Sequence, residues 1–225
     1  MTRRFKYYTP LFLQKVGYVV FYFLHTFFVH LEVNGKENLE GLKGPLILAS
    51  NHTSEVDPTV IPLVLPLYSP LYPIYYVANP MEKYNNFGWR SYVYGAAFFN
   101  SLGAYSVHSG FHDYSISLED HVDLLEMGRT VFIFPEGKRT EDGNLSPARG
   151  GLGYMIYETQ VPIVPIVINT FYGISFLDYL LRRKKVVITV LPVIKSEEII
   201  NTDNPTVEDY KKASQFVMDK IGEVL

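Results

Sequence analysis

The sequence predicts an α/β fold: a single domain with a mixed central sheet flanked by helices, preceded by an N-terminal amphipathic or hydrophobic helix. Three observations lead there. Short β-branched and apolar runs at 45–50, 73–78, 130–134, 161–168 and 185–193 alternate with segments of helical periodicity. The chain has 225 residues, enough for one sizeable core and few for two. Its first thirty residues differ in character from the rest, which divides it into a helix at 1–30 and a domain at 31–225.

The N-terminal segment begins with Arg3, Arg4 and Lys6 and continues as an apolar, aromatic stretch from Leu11 to Val29. No small-residue cleavage site follows, so it is not read as a removable signal. A spanning helix needs ~20 mostly apolar residues, and Gln14, Lys15 and His25 make this one marginal. Gln14, Tyr18, Tyr22 and His25 recur at helical spacing beside a Phe/Val/Leu face, which predicts a helix lying in a membrane interface. A helix packed on the domain's own core is the alternative, and one helix can do both.

The remaining elements follow in order. An extended segment ends at the Asn34-Gly35 turn, and a strand at 45–50 runs directly into Asn51-His52. The strand at 73–78 ends at Asn79-Pro80, and a helix is expected near 81–94. Ser117, with Asp120 three residues on, predicts a capping box opening a helix that stops at Gly128. Residues 130–134 form a strand that ends at Pro135-Glu136-Gly137. Two further strands, the second preceded by the basic run 182–185, lead to a terminal helix. Val207, Tyr210, Ser214, Val217, Ile221 and Val224 fall on one face of it.

Composition excludes several functions. Net charge is −3, without a long basic stretch interleaved with aromatics, so nucleic acid is not an expected partner. There is no cysteine, which removes disulfides, thiolate ligands and a cysteine nucleophile. Hydrophobic residues reach 48% and aromatics 15%, more than a small soluble core needs, and contact with lipid accounts for the excess.

Two strand ends carry the residues of chemical interest. His52 and Asp57 suit a proton-transfer pair, an imidazole base with a carboxylate to fix its tautomer and stabilise the imidazolium. On a regular helix, five residues turn the second side chain about 140° from the first, and on a strand the two point to opposite faces. They meet only across a turn, which Asp57-Pro58 supplies as a helix start. His108 and Asp113 have the same spacing but lie in a Ser/Gly-rich loop. The second strand end reads Phe134-Pro-Glu136-Gly137-Lys138-Arg139-Thr140. A permissive glycine, an Arg fork and a Lys point charge on one tight loop suit an anion, although a solvated charged turn has the same composition.

In this order the two blocks resemble the glycerolipid acyltransferase family that includes the lysophosphatidic acid (1-acylglycerol-3-phosphate) acyltransferases, over roughly residues 33–193. Asn51-His52 through Asp57-Pro58 is similar to the family's catalytic block. Phe134 to Thr140 is similar to its acceptor-binding block, and Val161-Pro-Ile-Val-Pro-Ile166 to its late proline-containing strand. Leu145-Ser-Pro-Ala-Arg149-Gly-Gly151 resembles a segment that usually reads Pro-Phe-Lys-x-Gly. The resemblance departs at Gly103 to Ser109, where Ser109 stands in place of an Arg that helps hold acceptor phosphate, and at Lys138, where a small hydroxyl residue is usual.

What the resemblance implies is a membrane-bound O-acyltransferase of phospholipid biosynthesis. An acyl group would pass from acyl-CoA or acyl-carrier protein to the hydroxyl of a lysophospholipid such as 1-acylglycerol-3-phosphate. His52 and Asp57 would be catalytic, and Glu136, Gly137, Lys138, Arg139 and Arg149 would form the acceptor site, with backbone N–H groups of the strand-to-helix turn facing the oxyanion. The donor is a co-substrate, and neither metal nor cofactor is expected. Membrane lipids and the donor carrier are the expected partners, and the membrane, at its cytoplasmic face, the expected location. Gly95, Ala96 and Ala97 beside Phe98 and Phe99 suit close helix packing or an acyl groove. Two alternatives stand beside this reading: a phosphate-free acceptor, consistent with Ser109, and a non-catalytic lipid-binding module, which would not need His52, Asp57 and Glu136 together.

Overall fold

Leu46, Ile47, Leu48 and Ala49 have no exposed surface at all, the signature of a strand covered on both faces. In the computed structural model, which describes residues 5–79, 96–108, 113–169, 172–173, 175–183 and 185–225, they form the centre of a seven-stranded sheet. The order of elements is α1 (Tyr8–Phe28), β1 (Leu31–Asn34), β2 (Leu46–Ser50), α2 (Asp57–Val64), β3 (Ile74–Ala78), α3 (Ala96–Ser101), β4 (Ala104–Ser106), α4 (Tyr114–Ser117), α5 (Glu119–Glu126), β5 (Thr130–Ile133), α6 (Gly151–Thr159), β6 (Ile163–Asn169), α7 (Phe176–Leu180), β7 (Val186–Val190) and α8 (Val207–Gly222).

The sheet runs β1-β7-β6-β2-β5-β3-β4. Every pairing is parallel except β6 with β7, so the sheet is mixed, as expected. Period-two alternation sends Ile47 and Ala49 of β2 to one face, where they meet Leu124 and Leu125 of α5, Leu152, Met155 and Ile156 of α6, and Val217 of α8. Leu46 and Leu48 face the other way, onto Val60, Ile61 and Val64 of α2 and onto Val29 at the end of α1. Because β2 and β5 are parallel neighbours in register, Leu46 with Thr130 and Ala49 with Ile133, their carboxyl ends emerge side by side. That register brings two loops distant in sequence together.

One expectation is corrected. The capping box at Ser117 does not form: Asp113 caps α4 by accepting the Ser115 N–H at 2.8 Å, and α5 starts after Leu118 without a side-chain cap. The helix capped by Asp113, four residues upstream, runs through Ser117, which therefore falls inside a helical turn. On α8 the cap is Thr206 with Asp209, and of the face that begins at Val207 the middle residues Ser214, Val217 and Ile221 are buried while Val207 and Val224 at its ends are exposed. On α1 the two ends of the polar stripe are turned inward, while Tyr22 is 46% exposed. Gln14 and His25 are buried, and the Gln14 amide donates to the carbonyls of Ile74 (2.6 Å) and Leu102 (2.7 Å) while its oxygen accepts the Ile74 N–H (2.9 Å). His25 Nε2 meets Thr59 Oγ1 at 2.9 Å. The polar groups satisfy backbone at the edge of the sheet, and Phe12, Phe23 and Phe27 are left more than 60% exposed. At 21 residues α1 is long and apolar enough to cross a membrane by length and composition. The helix expected near 81–94, Gly95 and Ser109 lie outside the described residues.

Candidate active site

β2 delivers Asn51 and His52 to the carboxyl edge of the sheet. Asn51 is fully buried, and its side chain continues the β2–β6 ladder: Nδ2 donates to the Ile168 carbonyl and Oδ1 accepts the Ile168 N–H, both at 2.8 Å. This pins the strand end one residue before the histidine. Asp57 opens α2 and turns its carboxylate back into the connecting turn rather than capping the helix. Its Oδ2 lies 3.0 Å from His52 Nδ1 and accepts the backbone N–H groups of Thr53 (2.5 Å) and Ser54 (2.8 Å). Thr53 Oγ1 approaches Oδ1 at 3.3 Å. The carboxylate has no exposed surface, and the histidine side chain retains 16%. Three donors at a buried carboxylate offset its loss of water, and an Nδ1–H held by Asp57 leaves Nε2 as the acceptor nitrogen.

The second loop arrives from β5. Phe134 stacks on the His52 ring with centroids 3.9 Å apart and planes within 10°, which leaves the imidazole one orientation. Glu136 is 2% exposed, and both of its oxygens accept backbone amides: Oε1 takes the His52 N–H and Oε2 the Ser146 N–H, each at 2.8 Å. Thr140 donates its N–H to the His52 carbonyl at 2.9 Å, so both backbone groups of His52 are held from this loop. Arg139 pairs with Glu55, inside the His52–Asp57 turn, at 2.9 Å. Glu136 thus shapes the loop from within.

Gly137 has φ +67°, and a Cβ there would lie 2.7 Å from Arg149 Cδ, so the Arg149 side chain passes directly over it. Arg149 is itself anchored by its N–H to the Pro135 carbonyl at 2.8 Å. Lys138 pairs with Glu141 at 3.0 Å on the surface. These exposed pairs are cheap to break, so Lys138 and Arg139 are available to a stronger anion. Among the described residues Arg149 makes no ion pair. His52, Asp57, Glu136, Gly137, Lys138, Arg139 and Arg149 therefore come from two joined loops. The other pair of equal spacing takes separate partners: Asp113 caps α4, and His108 lies 3.6 Å from Asp120.

The turn amides of His52, Thr53 and Ser54 are held by Glu136 and Asp57, and those of Val56 and Asp57 by Ser54, while the Glu55 N–H makes no hydrogen bond among the described residues. The Phe134 stack and the Asn51 anchor were not anticipated. Asn51 has a signal, an amide directly after a buried strand, while a ring stack between residues 82 positions apart has none.

A known protein family now meets this geometry. Residues 30–169 match the family model described as Acyltransferase, which covers more than half of the chain and both loops. The chain belongs to the acyltransferase family. It is 28% identical to human 1-acyl-sn-glycerol-3-phosphate acyltransferase alpha over 110 residues, 46% of this chain and 37% of that protein. It is 27% identical to the chloroplastic 1-acyl-sn-glycerol-3-phosphate acyltransferase BAT2 of Brassica napus over 141 residues, 63% of this chain and 38% of that one. The matched stretch thus spans well under half the length of these curated relatives. The crystal structure of the 1-acyl-sn-glycerophosphate (LPA) acyltransferase PlsC from Thermotoga maritima shares the fold, with a TM-score of 0.64 over 95% of this chain and 79% of that one at 19% identity.

Proposed function

We propose that this acyltransferase moves a fatty acyl group from acyl-CoA or acyl-carrier protein to the free hydroxyl of a lysophospholipid such as 1-acylglycerol-3-phosphate, at the cytoplasmic face of a membrane. The observation that carries the reading is the buried Asp57 carboxylate 3.0 Å from His52 Nδ1, with the imidazole stacked on Phe134 of the Glu136 loop.

In this mechanism His52 Nε2 takes the acceptor hydroxyl proton as the oxygen attacks the thioester carbonyl carbon. The imidazolium is stabilised by Asp57, which stays ionised. The tetrahedral intermediate then collapses: the carbon–sulfur bond breaks, the ester forms, and His52 returns its proton to the departing thiolate. The thiol leaves protonated and the imidazole is neutral again. The donor is consumed as co-substrate, and the step needs neither metal nor cofactor. Gly137, Lys138, Arg139 and Arg149 supply a flat backbone and three cations for the acceptor's anionic group, and Glu136 keeps that loop against His52. The exposed aromatic face of α1 rests on the bilayer that contains the acceptor.

Incubating the purified full chain with radiolabelled acyl-CoA or acyl-carrier protein and a panel of lysolipids tests the reading. Labelled diacyl product from 1-acylglycerol-3-phosphate supports it. Product from phosphate-free lysolipids alone would move the acceptor to another class, and no product from any acceptor would favour a lipid-binding module.

A further inference from the structure

The connection between β6 and β7 has a surface unlike a solvated turn. Leu177 and Leu180 of α7, and Leu181 after it, are exposed by 61%, 49% and 52%, and the basic run 182–185 comes next. Antiparallel neighbours can be joined by two to five residues, so the chain spends a long excursion here and buries none of the three leucines.

The patch is joined to α1. The Arg182 guanidinium lies 5.7 Å from the Phe27 ring centroid, and its Nη2 is 3.3 Å from His30 Nδ1. Arg182 adopts φ +54°, which side chains rarely take, at the bend beside that contact. Arg182, next in sequence to Leu181, thereby links this segment to the exposed face of α1 at Phe27. Lys185 is paired with Glu32 at 2.5 Å, whereas Arg183 makes no ion pair among the described residues.

We propose that α7 and the Arg182–Arg183 bend form a second membrane contact that takes an anionic phospholipid surface, with Leu177, Leu180 and Leu181 entering the acyl layer and the guanidiniums reaching lipid phosphates. The proposal rests on reading α1 as a membrane anchor. Apolar area by itself would suit a protein partner. A run of cations directly beside the leucines, on a chain whose net charge is −3, selects an anionic bilayer instead. Two contacts also achieve what one helix does not: they stop the domain rotating about the α1 axis and so fix how the His52 loops face the membrane.

The chain has no cysteine, so a single introduced one can be labelled uniquely. Full-length Leu180→Cys, Phe12→Cys on α1 and Lys212→Cys on α8 would each carry an environment-sensitive fluorophore. They would be mixed with vesicles of phosphatidylcholine, with or without phosphatidylglycerol and brominated lipid. The expected result is a blue shift and bromine quenching at positions 180 and 12 and neither at 212, with Arg183→Glu weakening binding to anionic vesicles by at least about fivefold. A shift at 12 without one at 180 overturns this inference and leaves the α1 anchor standing. No shift at either overturns both. A shift at 180 that follows protein concentration without vesicles would assign the patch to a second copy of the chain, which also overturns it.

Discussion

Glu136 accepts the backbone N–H of His52 at 2.8 Å across 84 residues of sequence, so the histidine is positioned through its main chain by a carboxylate from the neighbouring strand end. The second oxygen holds Ser146 at the same distance, and Glu136 has little surface left to offer a ligand.

Glu136→Gln provides one acceptor and one donor where two acceptors are needed, and so leaves a buried amide opposed. Unfolding free energy should fall by about 1–3 kcal/mol. Turnover should fall about 10–100-fold, the scale expected when a catalytic group shifts by a fraction of an ångström to an ångström. Denaturant melts and steady-state kinetics on the same preparation check both. Unchanged stability with only a raised acceptor KM would mean that the carboxylate touches the acceptor.

Gln14→Leu makes α1 more apolar and still destabilises the protein. The change strands the N–H and carbonyl of Ile74 and the carbonyl of Leu102, all of which Gln14 satisfies. A loss of at least about 2 kcal/mol follows, because buried unpaired backbone groups cost about 1–3 kcal/mol each. For a chain of this size the melting temperature should drop by roughly 4–8 °C. A neutral or higher melting temperature would show that the Gln14 hydrogen bonds contribute nothing.

His121 makes stability depend on pH. It is completely buried in α5, and burial pushes its pKa down to about 4, partly offset by backbone hydrogen bonds at Tyr105 and Tyr76 and reinforced by nearby His108. Between about 4 and 6.5 the unfolded chain therefore binds more protons than the folded one. Stability from this group is complete above the unfolded pKa and is lost as pH falls through that window, by up to roughly 3 kcal/mol. Urea unfolding of wild type and His121→Gln at pH 7, 6 and 5 isolates the term. The gap between the two should narrow as pH falls, and a gap independent of pH would contradict the burial argument.

The sequence made much of this legible where pattern and chemistry coincide. Strands at 46–50 and 130–133 announce themselves by unbroken apolar runs, and both end on the residues of interest because the register of β2 and β5 sets His52 beside Phe134. Asp57-Pro58 marked a helix start, but the direction of the carboxylate, back toward Thr53 and Ser54, depends on backbone geometry that no residue pattern encodes. On α1, spacing identified the polar stripe and left open whether it met the domain or the membrane interface. Periodicity says which residues share a face, while only the unpaired groups of Ile74 and Leu102 decide which face turns inward.

In the proposed mechanism His52 carries the proton, and single-turnover acyl transfer by His52→Ala is the decisive measurement. The ring is removed while the backbone bonds from Glu136 and Thr140 are kept, so the fold, checked by circular dichroism, should persist. The expected rate is about 10²–10⁴-fold below wild type at saturating donor and acceptor. Transfer within about threefold of wild type by a folded His52→Ala protein would contradict it.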